Sequence, residues 1–399
     1  MVRVKEHLSL YEFNLPTRII FGCKSLDKLP EVLNSFGKRV LLITGKQSAR
    51  RIGLLERIKI LLKDFLLEIF TEVEPEPTCL TVNNAVKLAK EKNSEVIVGL
   101  GGGSSIDVAK AVAGLANKEG KVEDYLLGRR KLTSSGLNFI AIPTTAGTGA
   151  EVTPNAVLLD EERKVKESLR DKSLFAKVAI VDPELTLSLP KDLTAYSGID
   201  ALSQSLESLV STGSSHLTDG ICKESIELIA KNLLKVYTKP KDILARTNMC
   251  FASLLSGIAL CNARMGAVHG LAHPLGALYR IPHGLTCGVL LPYVMEFNLK
   301  VAFKKYALVA SYFGISLKSS SSKEIAKLLI LKIRWLLEKL GFPLSLKVLK
   351  IKKEDFFKIA KDALLYSGSL KANPVKLSKN DIIKILNRAY QGGDYADDK

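Results

Sequence analysis

The chain has 399 residues, of which 47% are hydrophobic and 25% charged. Those proportions exclude a disordered or fibrous chain, and the length exceeds what one compact core serves, so two domains are expected. The net charge of +17 reflects 58 Lys and Arg against 41 Asp and Glu. The basic residues are interleaved with apolar ones at helical spacing, as in KEIAKLLILKIRWLLEKL. That pattern is the polar face of amphipathic helices and not a nucleic-acid surface.

The opening MVRVKEHLSLYEF has neither the apolar core nor the small-residue cleavage site of a signal peptide. The longest apolar runs are broken by Lys, Asp or Gly within about 18 residues, too short for a membrane span. A cytoplasmic protein with no membrane partner is therefore expected. FNLPTRIIFG (13–22) reads as a short strand ending at a turn. KRVLLIT (38–44) is a continuous apolar strand, followed by the turn GKQSARRIG. Residues 54–70 alternate apolar and basic at helical period. EVIVGL (95–100) is a buried strand running into GGGSSIDVAKAVAGLA, a glycine loop that opens a helix. NFIAIP (138–143) and VAIVD (178–182) supply further strands. Apolar strands alternating with helices predict a parallel sheet covered on both faces, a Rossmann-like α/β domain.

After Pro190 the strand-like runs stop. Helical patterns fill 194–211, 217–237, 241–262, 285–314 and 322–340. The expected organisation is an α/β dinucleotide-binding domain over 1–190, then an all-helical domain over 191–399 that carries a metal and the substrate. No internal repeat is present, and GGDYADDK at the end reads as a loose tail. The six cysteines are scattered with no C-x-x-C pair, so they are expected to be buried free thiols.

Three motifs carry chemistry. Gly101-Gly102-Gly103-Ser104-Ser105-Ile106-Asp107 lies between a strand and a helix. Glycines let backbone approach a phosphate, and the helix N-terminus offers free N–H groups and partial positive charge. The spacing departs from G-x-G-x-x-G, so a standard Rossmann fingerprint is absent. Pro143-Thr144-Thr145-Ala146-Gly147-Thr148-Gly149-Ala150-Glu151 follows another strand and offers hydroxyls to phosphate or ribose. Finally, His269, His273 and His283 fall within one short stretch, and Asp200 lies upstream with Gln204 one turn on. Residues 269 and 273 share a helical face, and Pro282 is expected to turn His283 back towards them. Asp with imidazoles suits a divalent first-row cation, iron or zinc.

GGGSSIDVAK, IPTTAGTGAEVTP, DALSQSLE and HGLAHPLGALYRIPHG together resemble the sequence blocks of the iron-containing alcohol dehydrogenases. The likeness extends to FNLPTRIIFG and VAIVDPELTLSLP, and so covers nearly the whole chain. It implies a dehydroquinate-synthase-like fold. It also implies a nicotinamide-dependent dehydrogenase acting on a small primary alcohol or its aldehyde, assembled as a homo-oligomer, a dimer. By the same resemblance Gly102, Gly103 and Ser104 would hold the pyrophosphate, with Asp107 in the same block. Thr144, Thr145 and Thr148 would line the cofactor, and Lys166 would reach the nicotinamide ribose. Asp200, His269 and His283 would ligate the metal, and His273 would stand near substrate and nicotinamide as the proton relay. The family has a third histidine ligand where this chain has Gln204. An amide oxygen is a weaker donor than imidazole, so a weakly held metal is expected. Gly45, Lys46 and Ser48 follow the strand that meets the adenosine ribose, and no acidic residue stands there to repel a 2′-phosphate. NADP is therefore slightly favoured over NAD. The alternative is a metal-free reductase of the same fold, of the maleylacetate reductase kind, acting on an oxo acid. A nucleic-acid-binding module is a further alternative, which no motif supports.

Overall fold

The computed structural model describes residues 10–46, 53–132, 136–317 and 320–393. Ser48 and all but the first two residues of the GGDYADDK tail lie outside them. Eight strands form among the described residues: β1 (Arg18–Phe21), β2 (Arg39–Gly45), β3 (Leu66–Val73), β4 (Val96–Gly101), β5 (Asn138–Pro143), β6 (Asn155–Asp160), β7 (Val165–Arg170) and β8 (Val178–Val181). Six of them make one sheet in the order β1-β8-β5-β4-β2-β3, with every neighbouring pair parallel.

Its strands are apolar throughout because both faces are buried. Val40 and Leu42 pack into one core and Leu41 and Ile43 into the other, as the two-residue period requires. In the α/β region helices α1 (Leu29–Leu33), α2 (Leu54–Leu61), α3 (Cys79–Glu91), α4 (Gly103–Leu115) and α5 (Val122–Leu126) join them. Chain order places β3 on one side of β2 and β4 on the other. The strand order therefore reverses between β2 and β4, and the crevice at such a switch point is where open α/β sheets bind ligands.

From Lys191 the chain is helical: α6 (Lys191–Val210), α7 (His216–Thr238), α8 (Ile243–Ala263), α9 (Ala267–Tyr279), α10 (His283–Val309), α11 (Ser322–Lys339), α12 (Phe356–Tyr366) and α13 (Lys379–Gln391). An α/β domain followed by a helical region is the architecture expected above. The apolar helix α8 and the stretch His283–Phe313 that contains α10 are long enough to cross a membrane. Most of each apolar window is instead buried in the protein's own core, 67% and 78% respectively.

The sequence pattern misreads some segments. The helical period over 54–70 runs past the true end of α2 at Leu61 and across the edge strand β3, whose charged and apolar residues alternate irregularly. Only the last part of 13–22 is strand, and β6 and β7 form an unexpected antiparallel hairpin. Helices α9, α12 and α13 fall outside the five helical runs read from the sequence. Of the six cysteines, Cys23 is exposed and Cys261 half-buried, contrary to the expectation of buried thiols; the other four are buried.

The two regions meet tightly. Gly149 has φ +59°, and a Cβ on Gly257 of α8 would stand 2.5 Å from its carbonyl oxygen, so both positions exclude a side chain. The adjacent Glu151 is only 3% exposed. Burial pushes its carboxyl up to about 7, with Lys110 only partly opposing. A raised carboxyl pKa means that the folded state keeps a proton that the unfolded chain loses above about 4.5. Its stability contribution is therefore complete below that value and is lost as pH rises to about 7. Relative to wild type, Glu151→Gln should gain stability between pH 5 and pH 8, by at most about 3 kcal/mol. Urea denaturation at the two pH values measures it, and an equal difference at both would count against the buried-acid account.

Candidate active site

A cleft of about 570 Å³ opens between the carboxyl ends of the strands and the helical region. The α/β side contributes Gly103, Ser104, Asp107, Thr148 and Lys166 to its wall. Asp200, Gln204, His269, His273 and His283 come from the helical side. Ten of the residues singled out in the sequence are thus brought to one cavity.

At the α/β end, β4 runs into α4 through three glycines. Gly101 has φ +148°, and a Cβ on Gly103 would stand 2.8 Å from Thr148. No side chain caps the first turn of α4, which leaves its N–H groups for an anion. Gly102 packs against Thr145, and the Thr144 N–H donates to the Gly101 carbonyl. Gly102, Thr144 and Thr145 are half-buried beside the cleft and do not form its wall. Gly45 and Lys46 end β2 at the strand-order reversal, Gly45 half-buried and Lys46 exposed, also outside the wall.

Asp107 has two protein partners. Its carboxylate accepts from the Val157 N–H at 3.0 Å and lies 3.5 Å from the Lys110 ammonium. Lys110 is fully buried and donates to the carbonyls of Ala150 and Asn155. Together they clamp the β6–β7 hairpin onto α4. That hairpin presents Lys166, itself buried and ion-paired with Glu76, to the cleft.

The helical end is a compact cluster. Asp200 lies mid-way along α6 and is 2% exposed. Its Oδ1 is 3.2 Å from His269 Nε2 and 3.6 Å from His283 Nε2. His269 stands near the start of α9 and His283 is the first residue of α10, directly after Pro282. The far side of His269, Nδ1, is 2.5 Å from Glu207 Oε2. Glu207 also accepts from the Val268 N–H at 2.6 Å. Cys287, one turn along α10 from His283, places Sγ 3.6 Å from His283 Nε2.

Burial alone would raise the Asp200 carboxyl, but His283 and the His269 hydrogen bond hold it low. Burial would depress His269, yet Cys287, Glu207 and Asp200 hold it well above its ordinary value. His283 is likewise raised to about 8 against burial, by Cys287 and Asp200. His273 differs: burial and the neighbouring His283 and Lys166 push it well below its usual range, which keeps the ring neutral at pH 7. Its ring centroid is 5.7 Å from that of His283. Burial raises the thiols of Cys79, Cys222, Cys250 and Cys261, whereas the two histidines hold that of Cys287 down.

Residues 16–183 match the family model described as iron-containing alcohol dehydrogenase, and residues 194–390 match the C-terminal model of the same family. The chain belongs to the iron-containing alcohol dehydrogenase family. It is 36% identical to Alcohol dehydrogenase 4 of Saccharomyces cerevisiae over 96% of this chain and 99% of that one. Identity to the NADPH-dependent butanol dehydrogenase of Clostridium saccharobutylicum is 33%, again over 96% and 99%. The crystal structure of 1,3-propanediol oxidoreductase superposes with a TM-score of 0.91 at 33% identity, covering 96% of this chain and all of that one. As in these alcohol dehydrogenases, the expected chemistry is nicotinamide-dependent alcohol and aldehyde redox.

Two residues of this iron-containing alcohol dehydrogenase chain went unnoticed in its sequence, Glu207 and Cys287. Both had a spacing signal: Glu207 is two turns after Asp200 on one helical face, and Cys287 is four residues after His283. Glu207 fixes which ring nitrogen of His269 faces the cluster, the usual task of a carboxylate behind a ligating imidazole. Glu207→Gln should weaken divalent-cation retention about 10–100-fold. Titration of the metal-free protein against a chromophoric chelator reads this directly, and unchanged retention would show that Glu207 is only a packing residue.

Proposed function

We propose that the protein transfers hydride between a nicotinamide cofactor bound at the α4 end of the cleft and a small alcohol or aldehyde held beside a divalent cation. The observation that carries this reading is that an uncapped, glycine-lined helix N-terminus and a carboxylate–imidazole cluster open onto the same cavity. Residues 1–190 serve as the cofactor domain and 191–399 as the metal and substrate domain. Asp200, His269 and His283 fit a first-row cation, because one carboxylate and two imidazoles converge with donor atoms 3.2 and 3.6 Å apart. The space over Gly103, which a Cβ would close against Thr148, fits a pyrophosphate.

A cation held by Asp200, His269 and His283 would supply Lewis-acid polarisation of the substrate oxygen, and a nicotinamide at the α4 end would supply hydride chemistry. The rest is done by side chains. His273, neutral and half-buried, passes the alcohol proton towards solvent through its ring. Lys166 is held by Glu76 where the resemblance expects the nicotinamide ribose. Gly102, Gly103, Ser104 and the N-terminus of α4 bind phosphate, Thr144, Thr145 and Thr148 line the cofactor, and Asp107 holds the hairpin that carries Lys166.

A second reading, an oxo acid as substrate, is favoured by two arginines. Arg170 and Arg264 line the cleft, and neither has an ion-pair partner among the described residues. Arg264 also adopts φ 67° and ψ 175° at the end of α8, backbone that glycine usually takes. A panel of neutral aldehydes and oxo acids, assayed with the metal-free and the metal-loaded enzyme, separates this metal-free oxo-acid reductase from the first reading.

His273→Ala should lower kcat about 10²- to 10⁴-fold while bound metal stays at the wild-type level. Loss of the metal together with activity would refute the relay role. For the cofactor, Gly45 leaves room and Lys46 can offset charge at the end of β2, so NADPH should serve at least as well as NADH. Gly45→Asp should cut kcat/KM for NADPH by about 5- to 150-fold more than for NADH, the ratio that roughly 1–3 kcal/mol of like-charge repulsion yields. A wild type strongly selective for NADH, or an equal loss with both cofactors, would remove this turn as the discriminator.

A further inference from the structure

We infer that Cys287 supplies the fourth protein ligand of the cation site, in place of the residue at 204. The inference rests on the proposed metal site and concerns only its donor set.

The amide of Gln204 is already committed. Its Nε2 donates to Asp200 Oδ2 at 3.1 Å, and its Oε1 accepts from Ser256 Oγ at 2.8 Å. This orientation follows from chemistry. An ionised carboxylate only accepts, so the NH₂ of the amide must face Asp200 and the carbonyl oxygen must face Ser256. The oxygen, the one atom of Gln204 able to ligate, is therefore turned away from the histidines. Gln204 acts on Asp200 Oδ2 and leaves Oδ1 directed at His269 and His283.

Cys287 fills the gap from the opposite side. It is fully buried, and Sγ, Asp200, His269 and His283 each offer one donor atom within 4.8 Å of the others. The closest donor separations are 3.2, 3.6 and 3.6 Å. A tetrahedron with bonds of about 2.0–2.3 Å has edges of about 3.3–3.8 Å, close to these three separations. Glu207 fixes Nδ1 of His269 and leaves Nε2 for the cluster. The helical step from His283 to Cys287 orients both towards the same point.

One thiolate with one carboxylate and two imidazoles is a softer, more anionic set than a carboxylate with three imidazoles. It favours zinc or cobalt(II) over iron(II). Binding balances simply: the thiol releases its proton to solvent, the sulfur–metal bond forms, and no electron is transferred.

The test is cobalt(II) added to metal-free wild-type protein. An intense near-ultraviolet thiolate-to-cobalt charge-transfer band saturating at one equivalent is expected. Cys287→Ser and Cys287→Ala should lose that band, and zinc affinity should fall at least tenfold by chelator competition. Gln204→Ala should keep the band. Cobalt bound at one equivalent without the band overturns the role of Cys287 and leaves the metal site standing. A band that survives in both Cys287 variants also overturns it. Protein that binds neither cobalt nor zinc overturns the metal site and the inference together.

Discussion

Two carboxylates buried on one face of α6 set the terms for the helical region. Asp200 is 2% exposed and Glu207 5%. An ionised carboxylate out of water costs several kcal/mol unless charge and hydrogen bonds compensate it. The compensation comes from His269 between them and from the Val268 N–H. That requirement fixes where α9 begins relative to α6. It also fixes the entry of α10, since His283 must reach Asp200 from the first turn after Pro282. The apolar packing of α6, α8 and α10 then encloses the polar cluster on the sides away from the cleft.

The same logic operates across the cleft. Lys110, with no solvent exposure, is satisfied by carbonyls on both sides of the hairpin entry and by Asp107. The hairpin it secures forms a two-stranded sheet of its own, joined to the rest of the described residues by a single β-bridge from Leu159 to Thr78. Asp107 and Lys110 add to the apolar packing of Ala156, Leu158 and Leu169 in placing the ribbon that carries Lys166 and Arg170, since isolated two-stranded ribbons are marginal in water. A residue in the glycine motif thus contributes by placing other residues, a role that a motif alone does not reveal.

Sequence legibility followed the strength of the periodic signal. Strands β2, β4, β5 and β8 are apolar on both faces and stand out as unbroken runs. Strand β3 is at the sheet edge, with exposed positions among its apolar ones, and LLEIFTEV continues the helical spacing of the preceding segment. Helix α9 contains Pro274 and two glycines, which hide its period. In the candidate site, the histidines and Asp200 were visible because residue type and spacing coincide. Cys287 was not, because it has no C-x-x-C partner and its neighbour is a histidine one helical turn away.

Residues 204 and 287 are best understood as one unit. An amide beside Asp200 removes a possible nitrogen ligand but adds an N–H donor to the carboxylate. A thiol one turn beyond His283 adds a sulfur donor beside that imidazole. Each change alters what the other contributes, because both act on the same carboxylate–imidazole group, and groups within contact distance do not add independently. Restoring a histidine at 204 alone would place a third imidazole against a site already furnished with sulfur. It would also break the hydrogen bond to Ser256 that holds the amide. The donor set must therefore be read from both helices together, and residue 204 compared in isolation with its relatives would give the wrong ligand count.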